Sequence, residues 1–396
     1  MNRRFYWYQT ILSIAMIATG IFFLFSGHVH GDCNSVALAA EVGHSQSAQN
    51  AQSPDAMPTF ENANTESRAF SGSLSEEISR WAKSSTDPRW LGYSVPAISR
   101  DHVICCGGNG DWNGNYGCGT CRLEGRRYDT NFTSTSSSKT ALEGTSNVVV
   151  LYRASSGALS KIRVVSDSCV IDAGGLRVTW LTGVNSTQSV EYLSSLVRGQ
   201  NLRESGPEHL AQGALTAIAM HGDSSADKAL NSFVEPSQPE SLRKQTVFWL
   251  GEARGASGLQ TLKRIDRTDP SSEVRAQTTF ALSISREPGA LDEMIRMAHE
   301  DESTHVRGQA LFWLAQKAGQ KAASTITGAI ENDPDTEVKK KAVFALSQMP
   351  HEEGVPKLIQ VAQNNKNPEV RKQAIFWLGQ TNDPRALEFF EKILTK

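Results

Sequence analysis

From residue 210 onward, apolar and polar positions follow a helical period, and the pattern itself recurs. An apolar residue followed by a basic one stands at Leu242-Arg243, Val274-Arg275, Val306-Arg307, Val338-Lys339 and Val370-Arg371, each step 32 residues long. Phe248, Phe280, Phe312, Phe344 and Phe376 keep the same step, each followed by Trp or Ala and then Leu. Within one unit, Val306, Ala310, Trp313 and Leu314 fall at i, i+4, i+7 and i+8, one face of a helix of about a dozen residues. A second helix comes after a short turn. Its core positions repeat in register at Leu259, Leu291, Ala323, Val355 and Leu387, and again at Leu262, Met294, Ile326, Leu358 and Phe390. Asp269, Asp301, Asp333 and Asn365 recur between units, where short polar side chains satisfy the free N–H groups of a helix start. A fainter unit with Leu210, Ala214, Ile218, Leu230 and Phe233 opens the series. The pattern predicts an all-α solenoid of six helix pairs over residues 204–396, the first degenerate as an end cap tends to be.

The first half is patterned differently. β-rich runs at 90–96, 147–153, 161–166 and 177–181 are broken by Ser155-Ser156-Gly157 and Gly174-Gly175, so the middle two read as a hairpin. Residues 74–83 and 187–197 have helical spacing. A small β-rich α+β domain over 73–203 is expected. Residues 27–72 are rich in small polar residues without apolar periodicity and read as a disordered linker. Ahead of them, Arg3 and Arg4 precede a largely apolar run at 5–25, and no further Lys or Arg appears before Arg68. That asymmetry keeps the amino end inside and sends the rest across the membrane. Ala37-Leu38-Ala39 fits a cleavage site. Residues 1–26 are therefore a signal peptide or a retained anchor. Either way the expected location is periplasmic or the outer face of the membrane, with contact to the bilayer only through this segment.

Charge changes the picture by exclusion. Forty Lys and Arg against 42 Asp and Glu leave no basic field for nucleic acid. No Ser-His-Asp set, phosphate loop or dinucleotide fingerprint occurs, so neither a catalytic constellation nor a cofactor is expected. All six cysteines precede the array. Cys105, Cys106, Cys118 and Cys121 pin a loop too rich in Gly and Asn for a helix or strand. In an exported protein, disulfides among these four and Cys169 are the main expectation. Cys118-Gly119-Thr120-Cys121 matches a C-x-x-C redox pattern, but residues 122–127, with Gly125 among them, do not read as a helix. A four-thiolate zinc site is hindered by the adjacency of Cys105 and Cys106. A thiol- or metal-dependent loop, with the array as docking arm, is the alternative function.

The start Val306-Arg307-Gly308-Gln309-Ala310 and the endings Ala281-Leu282-Ser283 and Ala345-Leu346-Ser347 resemble the HEAT-repeat family, in particular the short bacterial repeats of phycobilisome lyases. The resemblance implies a protein-binding surface and no particular activity. One HEAT-repeat enzyme, deoxyhypusine hydroxylase, holds two irons with His-Glu pairs at equivalent repeat positions. Here His299-Glu300 and His351-Glu352 are 52 residues apart, not a multiple of 32, so they read as surface residues.

The Phe row lies at i+6, about 120° from the core face. Two readings stay open: an exposed stripe for a protein partner, or filler between successive first helices. At i+7, Trp249, Ala281, Trp313, Ala345 and Trp377 alternate large with small, as expected of buried core. Phe389, Phe390 and Leu394 give the C-terminal helix an apolar end suited to self-association. The expected function is an exported, non-enzymatic scaffold that binds protein partners through the array.

Overall fold

A computed structural model describes residues 56–98, 121–124, 146–167, 169–200, 202, 210–317 and 319–395. Residues 1–26, expected to be a signal peptide or anchor, and most of the cysteine loop lie outside the described residues. The chain divides into two compact units, residues 1–196 with 203–223 and residues 197–202 with 224–396.

The first unit is built on a mixed five-stranded sheet. Its strands are β2 (Asn64–Ala69), β3 (Arg89–Pro96), β5 (Asn147–Ser155), β6 (Ala158–Ser166) and β8 (Arg177–Thr182), in the order β2-β8-β3-β5-β6. Short β1 (Phe60–Glu61), β4 (Cys121–Arg122) and β7 (Ile171–Asp172) pair separately and in parallel. The expected hairpin is β5–β6. Ser156 and Gly157 both carry positive φ, 54° and 76°, the conformation a two-residue turn between right-twisted strands requires. Val148, Val149, Val150, Leu151 and Tyr152 are all buried, so β5 is covered on both faces and shows a continuous apolar run rather than alternation. Helices α1 (Leu74–Lys83) and α2 (Ser186–Val197) stand where their spacing places them. Behind the sheet a buried chain of hydroxyls links Tyr152, Tyr93 and Ser189 to His221 Nε2, at 2.8, 2.6 and 2.8 Å.

Two expectations need correction. The linker expected over 27–72 contains strands β1 and β2. All six β2 side chains are exposed, so the apolar alternation that announces a strand is missing, and main-chain pairing with β8 holds it instead. The degenerate first unit is split. Helix α3 (Leu210–Met220) belongs to the sheet-bearing unit, with Gly213 so close to Ile162 that an added Cβ would lie 2.8 Å from Ile162 Cβ. Helix α4 (Ser224–Phe233) belongs to the array.

The array then holds five complete helix pairs. They are α5 (Glu240–Ala253) with α6 (Gly255–Thr268), α7 (Ser272–Ile284) with α8 (Ala290–Glu300), and α9 (Thr304–Lys317) with α10 (Gln320–Asn332). Then come α11 (Thr336–Ser347) with α12 (His351–Asn364), and α13 (Pro368–Leu378) with α14 (Pro384–Leu394). Val274, Val306, Val338 and Val370 are fully buried, as are Leu262, Met294, Ile326 and Leu358. Successive first helices pack directly on one another, whereas successive second helices barely touch. The approach is close: a Cβ on Gly251 of α5 would meet the Ala281 carbonyl of α7 at 2.3 Å.

Three of the four junctions between these pairs are held by a buried ion pair. Arg243 Nη1 donates to both carboxylate oxygens of Asp269 at 2.6 and 2.5 Å. Arg275 binds Asp301 through Nε and Nη2 at 2.9 and 3.1 Å, and Arg307 binds Asp333 at 2.8 and 3.1 Å. The third nitrogen reaches back, Arg275 to the Asp269 carbonyl and Arg307 to the Asp301 carbonyl. One arginine thus ties the start of its own unit to the start of the next. The recurring Asp is not itself the helix cap. Ser271, Asp335 and Asn367 cap the helices, and the Asp or Asn two residues earlier accepts their backbone N–H. At the fourth unit both residues of the pair change together, to Lys339 and Asn365, and the ion pair is absent. Lys339 donates to the Glu331 carbonyl, and Asn365 stands where the carboxylate would be.

Candidate functional site: an aromatic ladder on the first helices

The first helices present the Phe row on one side. Phe248 stacks nearly parallel on Phe280, centroids 6.2 Å apart at 16°, and Phe312 on Phe344 at 6.0 Å and 11°. Tryptophans join the pairs: Phe280 to Trp313 at 4.7 Å and Phe344 to Trp377 at 4.9 Å. Each Trp also stands edge-on to the Phe before it, at 5.0, 5.0 and 5.1 Å. The result is one continuous ladder of rings across α5, α7, α9, α11 and α13.

The Phe rings are neither fully exposed nor fully buried. The rings fill the space between neighbouring first helices by stacking on each other, yet they stay half-buried, and Phe376 is 47% exposed. The tryptophans correct the expectation of a buried core. Ala281 and Ala345 are fully buried, but Trp249, Trp313 and Trp377 are only half-buried. The first helices approach too closely to hold an indole between them, so Trp313 and Trp377 lean on the Phe of the preceding helix. The 64-residue alternation of Trp and Ala becomes an alternation of ring contacts along the ladder.

Three residues before each Phe comes a polar row that the apolar pattern does not announce: Gln245, Gln277, Gln309, Lys341 and Gln373. Residues three apart are neighbours on a helix surface, so this polar row runs beside the rings. Gln245 Nε2 donates to the Leu202 carbonyl at 3.2 Å, and Lys341 Nζ to the Thr304 carbonyl at 3.4 Å. The 32-residue period is the signal that could have found it.

Of the other candidates, Cys105, Cys106 and Cys118 lie outside the described residues. Cys121 opens β4 and Cys169 precedes β7, both buried in one cluster with Trp90, Ile171 and Trp180. His299 and Glu300 close α8, while His351 and Glu352 open α12, and all four are exposed. Among the described residues no three His, Cys, Asp or Glu side chains gather to hold a metal. At the last helix Phe389 is buried at 5%, and the exposed apolar residues are Leu387, Ile393 and Leu394 at 63%, 44% and 83%.

Residues 323–396 match the family model described as HEAT repeats. The C-terminal array is a HEAT-repeat solenoid. Among solved structures, the complex of CpcE and CpcF of phycocyanin lyase from Nostoc sp. PCC7120 is 20% identical, covers 39% of this chain and 99% of that one, and has a TM-score of 0.30. Human deoxyhypusine hydroxylase in complex with glycerol is 17% identical over 52% of this chain and 90% of that one, TM-score 0.24. Kap121p is 13% identical over 48% of this chain and 25% of that one, TM-score 0.32. Likeness at this level says nothing about chemistry. No curated protein matches the chain.

Proposed function

We propose that the protein is an exported, non-enzymatic scaffold that binds a protein partner along the aromatic ladder of its first helices. The observation that carries this is the ladder itself. Its half-exposed rings are linked from helix to helix, and a contiguous apolar surface of that kind is what a partner can bury. Stacking fixes the rings before binding, so little side-chain freedom is lost on contact. Export is supported by the apolar run at 5–25 behind Arg3 and Arg4. Disulfides joining Cys121 and Cys169 to the loop cysteines belong to the same reading.

The test is cross-linked capture from the native envelope with the intact chain and with Phe280→Ser/Phe312→Ser. A partner held by the intact chain and lost by a folded variant supports the reading. Equal capture by both overturns it. A second reading rests on exposed Leu387, Ile393 and Leu394, which suit association between copies at α14. Sedimentation of Leu387→Glu/Leu394→Glu decides it, because unchanged mass at every concentration removes that reading.

A further inference from the structure

We infer that two copies of this chain join along the open edge of the five-stranded sheet, strand β2 of one pairing antiparallel with β2 of the other about a two-fold axis at Ser67. This goes beyond the function proposed for the array, because it concerns the sheet-bearing unit.

The sheet has two edge strands, β6 and β2. Helix α3 lies against β6, where a Cβ on Gly213 would stand 2.9 Å from the Ile162 carbonyl oxygen. β2 has β8 on one side and no strand on the other, and all six of its side chains are exposed. The register shows which of its main-chain groups are open. Asn64 stands opposite Arg177 and Ala69 opposite Thr182, in an unbroken parallel pairing. The Asn64 N–H donates to the Leu176 carbonyl at 3.3 Å, and the Phe70 N–H to the Thr182 carbonyl at 2.8 Å. In a parallel ladder alternate residues turn both main-chain groups toward the neighbour, so Asn64, Glu66, Arg68 and Phe70 face β8. Thr65, Ser67 and Ala69 therefore turn N–H and C=O outward, and no backbone bond outside the ladder takes them. Such a row is a template for another strand.

Charge selects both the strand and its register. Charged side chains on an edge ordinarily deter pairing. On β2 they are Glu66 and Arg68, two residues apart on one face and opposite in sign. Antiparallel pairing sets outward residues against outward residues, so the permitted registers differ by steps of two. With Ser67 opposite the second copy's Ser67, Thr65 lies opposite Ala69. Glu66 then lies opposite Arg68 on both sides of the axis. One step away, Glu66 meets Glu66; one step the other way, Arg68 meets Arg68. Opposite charges directly across a pair stabilise it and like charges destabilise it. Both side chains have groups to spare. Arg68 gives Nη2 to Glu77, and Glu66 takes the Thr179 hydroxyl on Oε1 at 2.8 Å. Nε and Nη1 of Arg68 and Oε2 of Glu66 remain for the second copy.

The experiment is sedimentation of the full chain over a range of concentrations, and we expect a reversible dimer. Glu66→Arg and Arg68→Glu each set like charges face to face on both sides of the axis. Each alone should raise the dimer dissociation constant about tenfold or more. Mixed one to one, the two variants restore both opposite-charge pairs and should dimerise as the intact chain does. Ser67→Pro removes an outward N–H and leaves the β2–β8 ladder intact, so it should abolish the dimer at the same concentrations. A chain that is monomeric at every concentration overturns the inference. So does a mixture of two folded charge variants that associates no better than either alone. Should a charge variant lose its circular dichroism, Ser67→Pro decides, because a dimer that survives it overturns the inference. A dimer that survives Ser67→Pro and is lost in Leu387→Glu/Leu394→Glu places the contact at α14 instead.

Discussion

Asp301→Ala tests what holds the units in register. Asp301 is 4% exposed at its side chain and Arg275 7%. One carboxylate oxygen takes Arg275 Nε, and the other takes Arg275 Nη2 together with the Ser303 backbone N–H. The hydrogen bond to Asp301 raises the Arg275 pKa above its ordinary value, ahead of the opposing effect of burial. Without the carboxylate, the guanidinium keeps the Asp269 carbonyl and the Oε1 of Glu302, a side chain that is 88% exposed. Breaking a buried pair from one side costs about 3–5 kcal/mol. Glu302 recovers part of that, so we expect about 3 kcal/mol. The array supplies its own control. Asn365→Ala removes the same turn contact to the next N–H, but the cation of that unit, Lys339, is satisfied by the Glu331 carbonyl. That loss should be about 1 kcal/mol. Because each unit leans only on its neighbours, the readout is local hydrogen exchange on the full chain. The difference of about 2 kcal/mol corresponds to roughly 30-fold faster opening of α7 and α9 in Asp301→Ala than of α11 and α13 in Asn365→Ala. Equal acceleration in the two variants, or none in Asp301→Ala, would refute the claim that the ion pairs hold the junctions.

Further outcomes rest on single contacts. Gly251→Ala should destabilise the α5–α7 contact by about 1–2 kcal/mol, because its Cβ meets main chain at 2.3 Å and the helices must part. Gly328→Ala, in α10 with nothing within 4 Å, should stabilise by about 0.5–1 kcal/mol, and chemical denaturation of both variants checks the pair. Phe312→Ala should cost about 2 kcal/mol, since the ring is half-buried but stacked on Phe344, and a loss within about 0.5 kcal/mol would show that the ladder adds no stability. The Asp383 carboxyl is held down to about 2 by its hydrogen bond from Arg385. A depressed carboxyl stabilises fully above its unfolded value near 4, and this support is lost as pH falls toward 2. Exchange in α14 should therefore quicken between about pH 4 and 2, and Asp383→Asn should remove that pH step.

The array was legible because its period is a property of residue spacing alone. Val306, Ala310 and Leu314 announce a buried face, and the structure buries each of them fully. Pairing across units was not legible in the same way. Arg275 and Asp301 are 26 residues apart, and only the fold shows that the end of one unit meets the start of its neighbour. The tryptophans misled for a related reason. Alternation of Trp and Ala signals complementary packing, but not on which side of the helix the bulk lies. Strand β2 was invisible because every side chain on it faces solvent. Helix α3 is apolar enough to read as a repeat helix, and only its contact with β6 shows where it belongs.

The most direct test of the proposed ladder surface is site-specific photo-cross-linking in cells that make the protein. A photoreactive phenylalanine replaces Phe312 in one chain and Gln360, exposed on second helix α12, in another. A discrete protein adduct is expected from position 312 and none from 360. An adduct from 360 alone would place the partner on the second helices and contradict it.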